Sequence, residues 1–183
     1  MKLFCGVAKA ISSFDEDFCA AVNRSMKSRG FFEYIMAIFA VTFNNEQPSF
    51  FWACVLLFLP FNINSAIAVA ALPGLCLFIT LLFKKMISRP RPVAYPPRSE
   101  ILRYNLRGSE KTHSMPSGDS AQAALFWSFL YVKFGFPGWL CLILTLATMF
   151  SRIYYMCHFP SDTIMGALLG LSVTVTYTNL LMP

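Results

Sequence analysis

Charge is scarce in this chain: 13% of its 183 residues are Asp, Glu, Lys or Arg, while 56% are hydrophobic. A soluble domain of that length has too little interior for so much apolar side chain. This excludes a water-exposed globule and points to a bilayer around helices that satisfy their own backbones. Acids are scarcer than bases, nine against fifteen, for a formal net charge of +6. The bases do not form a block interleaved with exposed aromatics, however, and eight of the fifteen fall between Lys84 and Lys111. That distribution fits anionic lipid or phosphate as partner, and not nucleic acid. The six cysteines (Cys5, Cys19, Cys54, Cys76, Cys141, Cys157) lack metal-ligand spacing, and three lie in apolar stretches as small hydrophobes. Neither a zinc site nor a disulfide framework is expected. Repeats and low-complexity tracts are absent, and Asp15, Glu16 and Asp17 interrupt what would be the apolar core of a signal peptide.

What the chain has is helical periodicity. Phe4, Val7, Ile11, Phe14, Phe18 and Val22 recur every three or four residues, with Lys2, Lys9 and Arg24 among the polar positions. The spacing predicts an amphipathic helix over 1–28, lying in the membrane interface or capping a bundle. Six apolar segments follow, near 29–44, 48–61, 64–84, 117–134, 137–153 and 159–181. The third and sixth reach the roughly 20 residues that a bilayer core requires. The first two are short, broken by the Asn44–Pro48 turn, and make either a tight hairpin or a partly re-entrant pair. Pro73-Gly74 is expected to kink the third. The expected architecture is therefore all-α: a single membrane-embedded domain over 1–183, with an interfacial helix over 1–28 and about six transmembrane helices over 29–183. One long polar stretch, 85–116, is the expected active-site loop. Six spans put both its ends, and the turn near His158, on one side of the membrane.

Three polar clusters meet on that side: Lys84 with Arg91-Pro92, Pro116-Ser117-Gly118-Asp119, and Ser151-Arg152 with His158 and Asp162. Ionisable groups beside apolar segments are costly and by default mark a functional site. Lys84, Arg91 and Arg152 can supply the charge that phosphoryl transfer requires, with the arginine fork matching phosphate oxygens in pairs. Ser117 and Gly118 fall at the expected start of a helix, where backbone N–H groups point outward at an anion. His158 is the plausible nucleophile, attacking phosphorus through one nitrogen while the other is held. Asp162, one helical turn on, can fix its tautomer. Alone, His158 would read as a polar residue satisfied at a helix end; the surrounding clusters carry the catalytic reading.

The pattern Lys84-x6-Arg91-Pro92, Pro116-Ser117-Gly118, Ser151-Arg152-x5-His158-x3-Asp162 resembles the type-2 phosphatidic acid phosphatase family. That family includes integral lipid phosphatases and shares its core with vanadium haloperoxidases. The motifs span residues 84–162; the helices on either side match in number and character. The resemblance implies a six-helix membrane enzyme hydrolysing a lipid phosphate ester or diphosphate, with no metal or other cofactor. His158 would form a phosphohistidine, Asp162 would orient it, and Lys84, Arg91, Ser117, Gly118 and Arg152 would cradle the phosphate. The resemblance also implies a site on the face away from the cytosol.

One residue departs from the pattern. The family's second motif ends in a histidine that protonates the leaving oxygen, and Asp119 stands there instead. General acid help is worth about 10²–10⁴ in rate, and an ordinary aspartate is ionised at neutral pH. Four readings are open. Asp119 is kept protonated by burial; or His113 reaches in as an alternative acid, against its plainer reading as an exposed loop residue. Or the leaving group needs less acid, as with a polyisoprenyl diphosphate, which leaves as a phosphate monoester. Or the protein binds lipid phosphate without turning it over. The third tilts the expected substrate toward polyisoprenyl diphosphates, and a lipid phosphotransferase is a further rival. Arg89, outside the family's spacing, is expected to steer substrate, and Arg98, Arg103, Arg107 and Lys111 to form a solvated loop. The tail through Arg29 carries five basic residues, which predicts a cytosolic N-terminus; six spans then place the site opposite.

Overall fold

The computed structural model describes residues 2–25, 30–43, 63–93, 102–104, 106 and 113–181. Through them run six helices: α1 (Lys2–Ser25), α2 (Phe31–Thr42), α3 (Ile63–Ile87), α4 (Gly118–Phe134), α5 (Gly138–Tyr154) and α6 (Pro160–Leu181). The all-α architecture is as expected. The expected segment over 48–61 lies outside the described residues.

The ends of the helices follow from local chemistry. Ser117 caps α4, its Oγ accepting from the Ser120 N–H at 3.3 Å. Gly135, at φ 66°, closes the same helix in the left-handed region that favours glycine. Pro137 then precedes α5, which has no N–H to satisfy at that point. α3 ends at Ser88, φ 49°, whose N–H bonds the Lys84 carbonyl. α5 ends at a tight turn through Met156, φ 55°, where the N–H groups of Cys157 and His158 both return to the Arg152 carbonyl. That turn folds His158 back over the end of its own helix.

α4 is the centre of the bundle. Its buried residues Leu125, Phe126 and Phe129 pack with Leu72 and Cys76 of α3, Val173 and Tyr177 of α6, and Phe43 at the end of α2. Gly166 and Gly170 of α6 let that helix touch α4 backbone to backbone, since a Cβ on either would fall 2.2 Å from the Ser117 carbonyl oxygen or 2.1 Å from that of Ala121. Gln122 of α4 donates to the Pro73 carbonyl of α3 at 2.9 Å, and Ser128 pairs with Thr174 of α6 at 2.6 Å. The outward faces of α5 and α6 are apolar, carrying Leu142, Ile143 and Leu146 on one and Ile164, Leu168 and Val175 on the other. Among the described residues, Pro160–Leu180 is long and apolar enough to cross a bilayer by length and composition, while α2 and α5 are shorter apolar helices.

α1 packs against the bundle, one of the two places its periodicity allows. Cys19 and Val22 pack on Ile153 and Met156, and Asp15 bonds the start of α6. Its protein-facing line is thus Asp15, Cys19 and Val22, whereas Ile11 and Phe14 point outward. The start of α2 is at this same end: Glu33 Oε1 accepts from the Arg103 and Tyr104 N–H groups, and its carbonyl from Tyr155. α2 then runs inward until Phe43 stacks against Phe126 and Trp127. The tail, the start of α2 and the turn at His158 therefore share one end of the bundle, where the span count had separated the tail from the site.

Candidate active site

Three stretches distant in sequence bring their polar groups to that end. Lys84 closes α3, Arg91 follows it, Ser117 to Asp119 open α4, Arg152 closes α5, and His158 and Asp162 span the α5–α6 turn. All except Gly118 carry polar side chains, and all of them are buried.

His158 is held between a cation and a carboxylate. Arg91 Nη1 lies 3.2 Å from Nε2 and also donates to the Cys157 carbonyl at 2.7 Å. A guanidinium can only donate, so Nε2 carries a lone pair and the ring proton belongs on Nδ1. Nδ1 lies 3.9 Å from Asp162 Oδ2, beyond hydrogen-bond distance. The Ser114 carbonyl also favours a proton on the ring, without the geometry of a full bond to Nδ1. Burial, then Arg91, Arg152 and Lys84, hold the imidazole well below its ordinary pKa. It is therefore neutral at pH 7, in the tautomer whose lone pair lies on Nε2, where Arg91 holds it until a phosphate draws the guanidinium onto its own oxygens.

Asp162 is fixed by groups other than the histidine. Oδ1 accepts from Arg89 Nη1 at 2.7 Å, and Oδ2 from the Phe159 N–H at 2.8 Å and from the Ser114 hydroxyl. Its backbone carbonyl takes the Ser117 N–H at 2.9 Å. That bond commits one of the two N–H groups expected to meet a phosphate at this helix start, and leaves the contact to Gly118. Ser117 Oγ accepts from Ser120 twice, through N–H and hydroxyl, so its own proton is available to an anion.

Asp119 faces Arg152, Oδ2 to Nε at 2.6 Å, with both side chains buried. The two atoms are at ion-pair distance without hydrogen-bond geometry, and the adjacent cation does not favour a protonated Asp119. Arg152 also reaches the Ala40 carbonyl of α2 at 3.0 Å. The His113 side chain is exposed, and its backbone carbonyl accepts from Arg91 at 3.3 Å. Arg89 does not point at the cluster of cations: its guanidinium bonds Asp15, Ser161 and Asp162. Among the described residues no three His, Cys, Asp or Glu side chains come together as metal ligands.

Sequence reasoning missed Asp15, Ser114 and the partners of Arg89. Asp15 had a readable signal, a charge at i and i+4 spacing with the buried Cys19. Ser114 had none.

A buried imidazole thus stands among cations at one end of the helical bundle. Residues 63–182 match the family model described as the PAP2 superfamily, and the chain belongs to that superfamily. No curated protein matches it. The fold is similar to the crystal structure of a transmembrane PAP2-type phosphatidylglycerolphosphate phosphatase from Bacillus subtilis, with a TM-score of 0.66 and 19% identity over 93% of this chain and 85% of that one.

Proposed function

We propose that the protein is a membrane lipid phosphatase in which His158 attacks the terminal phosphorus of a lipid phosphate or diphosphate. The observation that carries this reading is the placement of the buried ring, with Nε2 3.2 Å from Arg91 and Nδ1 facing Asp162. In the first step the Nε2–P bond forms as the bond from phosphorus to the bridging oxygen breaks, and the leaving group takes the electron pair. Lys84, Arg91 and Arg152 stabilise the charge on the equatorial oxygens. In the second step water attacks phosphorus, Nε2 leaves, and the water proton ends on the released phosphate.

A groove of about 560 Å³ between α3 and α6 supports a lipid substrate. It is lined by Ile79, Phe83, Leu168 and Tyr177, and its head is at Met115 and Pro116, next to Ser117. The Asp119–Arg152 pair supports a diphosphate. An ionised carboxylate gives no proton to a departing alkoxide, and this matters least where the leaving oxygen already belongs to a phosphate.

Purified protein tested on phosphatidic acid, phosphatidylglycerolphosphate and farnesyl or undecaprenyl diphosphate is expected to turn over the diphosphates faster. His158→Ala is expected to lower phosphate release by at least about 10³-fold. Asp119→His is expected to raise monoester turnover more than diphosphate turnover, by up to about 10²-fold. Equal or better turnover of the monoesters by the native protein would remove the substrate preference, and release surviving in His158→Ala would remove the mechanism. Binding with no release from any lipid would instead identify a silent member, and phosphate appearing on an acceptor lipid a phosphotransferase.

Thirteen of the fifteen Lys and Arg residues fall within 2–29 and 84–111. With α1 bonded to the site end of the bundle, the charges of tail and loop add where the span count had set them against each other. This distribution supports a cytosolic site, against the opposite face that the resemblance implies. A membrane-impermeant thiol reagent applied to intact cells carrying Ser109→Cys decides between them: protection is expected, and labelling from outside would restore the implied face.

A further inference from the structure

We propose that Arg89 is a positioning residue for the His158–Asp162 pair, and that Asp15 of α1 sets how strongly it acts. Asp162 can stabilise the charge that His158 gains on attack only with the negative charge it still has to offer. Arg89 takes part of it, bonding Oδ1 at 2.7 Å with the same Nη1 that reaches Ser161 Oγ at 2.7 Å. The other arm, Nη2, goes to Asp15 Oδ2 at 2.8 Å. The two carboxylates, both fully buried, therefore share one guanidinium that is only 18% exposed. The planar fork allows this division, which a lysine ammonium on a single stem reproduces poorly.

The backbone of Arg89 acts in the same direction. Its carbonyl accepts from the Ser114 N–H at 2.8 Å, and the Ser114 hydroxyl donates to the second oxygen of Asp162. The guanidinium also lies 4.2 Å over the ring of Phe159, the residue after His158. Asp15 is fixed in turn, accepting the Ser161 N–H at 3.0 Å in the first turn of α6, where a helix favours negative charge. An amphipathic helix lying against the bundle thus reaches the nucleophile through one charged residue. The remaining charges facing His158 are Lys84 of α3, Arg91 after it, Arg152 of α5 and Asp162 of α6.

The two partners should act on His158 with opposite sign. Arg89→Gln removes the cation from Asp162, whose carboxylate then closes on Nδ1. Asp15→Asn removes one of the two carboxylates that share the guanidinium, which then draws the charge of Asp162 further from the ring. A purely structural role would lower stability in both variants without reversing sign at the histidine.

The chain has two histidines, so full-length protein carrying ¹⁵N-histidine in detergent micelles gives a readable spectrum, with His113→Asn assigning the other ring. At neutral pH the His158 Nδ1–H resonance is expected to move downfield in Arg89→Gln and upfield in Asp15→Asn, with Arg89→Lys moving as Arg89→Gln by a smaller amount. Should Arg89→Gln fail to fold, Arg89→Lys and Asp15→Asn make the same comparison. Turnover should fall about 10-fold or more in kcat for Asp15→Asn, which draws the charge of Asp162 away from the ring, and should not fall in Arg89→Gln, with KM within about 2-fold in both, because neither residue faces the phosphate. Unshifted resonances, or shifts in one direction for both residues, would overturn the proposal. It rests on His158 as nucleophile, but the spectrum does not depend on turnover: opposite shifts in a protein inert toward every lipid would sink the phosphatase reading and keep this one.

Discussion

Gly166→Ala is expected to cost about 3 kcal/mol or more and to leave little folded protein at physiological temperature. The added Cβ would sit 2.2 Å from the Ser117 carbonyl oxygen, 3.1 Å from its carbon and 3.2 Å from Ser120 Cβ. The first two are backbone atoms of α4 and cannot rotate away, so α6 must move as a body. Asp162 lies one turn before Gly166, and its carbonyl holds the Ser117 N–H at 2.9 Å. Moving α6 therefore pulls the start of α4 and the partner of His158 together. Gly170→Ala should behave alike, with the Ala121 carbonyl oxygen 2.1 Å from the new atom. Gly74→Ala is the control: a Cβ there meets nothing within 4 Å, and a helix interior favours alanine by up to about 1 kcal/mol. Thermal unfolding of the three variants in one detergent tests the ordering. A Gly166→Ala protein as stable as Gly74→Ala would show that the α4–α6 contact is not rigid.

The close contact also shows what a single sequence can carry. Lys84, Arg91, Ser117, Arg152, His158 and Asp162 were readable because each is an expensive residue type beside apolar helices, in three clusters whose order fixed which end they share. The helices were readable because apolar side chains repeat at their period, and capping residues such as Ser117 and Gly135 mark their ends. Gly166 and Gly170 were less so: a glycine in an apolar helix reads equally as a flexible point or as a contact, and only the opposing carbonyls decide. The contact of α1 with the site end was not readable for a related reason. Counting spans assumes that every apolar segment crosses, and the segment over 48–61 has the length for a re-entrant turn as well. Arg89 was misread because spacing along the chain says nothing of which way a side chain turns after the left-handed residue at Ser88. Asp119 was seen as an anomaly, while its partner came only from the fold.

That partner makes the second large prediction. Arg152→Ala is expected to destabilise the protein by about 3–5 kcal/mol, because it takes the guanidinium from a buried carboxylate. Asp119→Ala should cost less. Arg152 keeps its bond to the Ala40 carbonyl, and an anion in the site can take the place of the lost carboxylate. Added inorganic phosphate should accordingly raise the melting temperature of Asp119→Ala more than that of the native protein, since a ligand stabilises in proportion to its affinity for the folded state. The double variant Arg152→Met, Asp119→Leu should recover much of the loss of Arg152→Ala, because replacing both members of a buried pair by apolar groups is often neutral. These three measurements separate a counterion from an acid. If Asp119 were a proton donor kept neutral for the leaving group, its removal would slow turnover without making room for phosphate, and Arg152→Ala would leave no charge stranded.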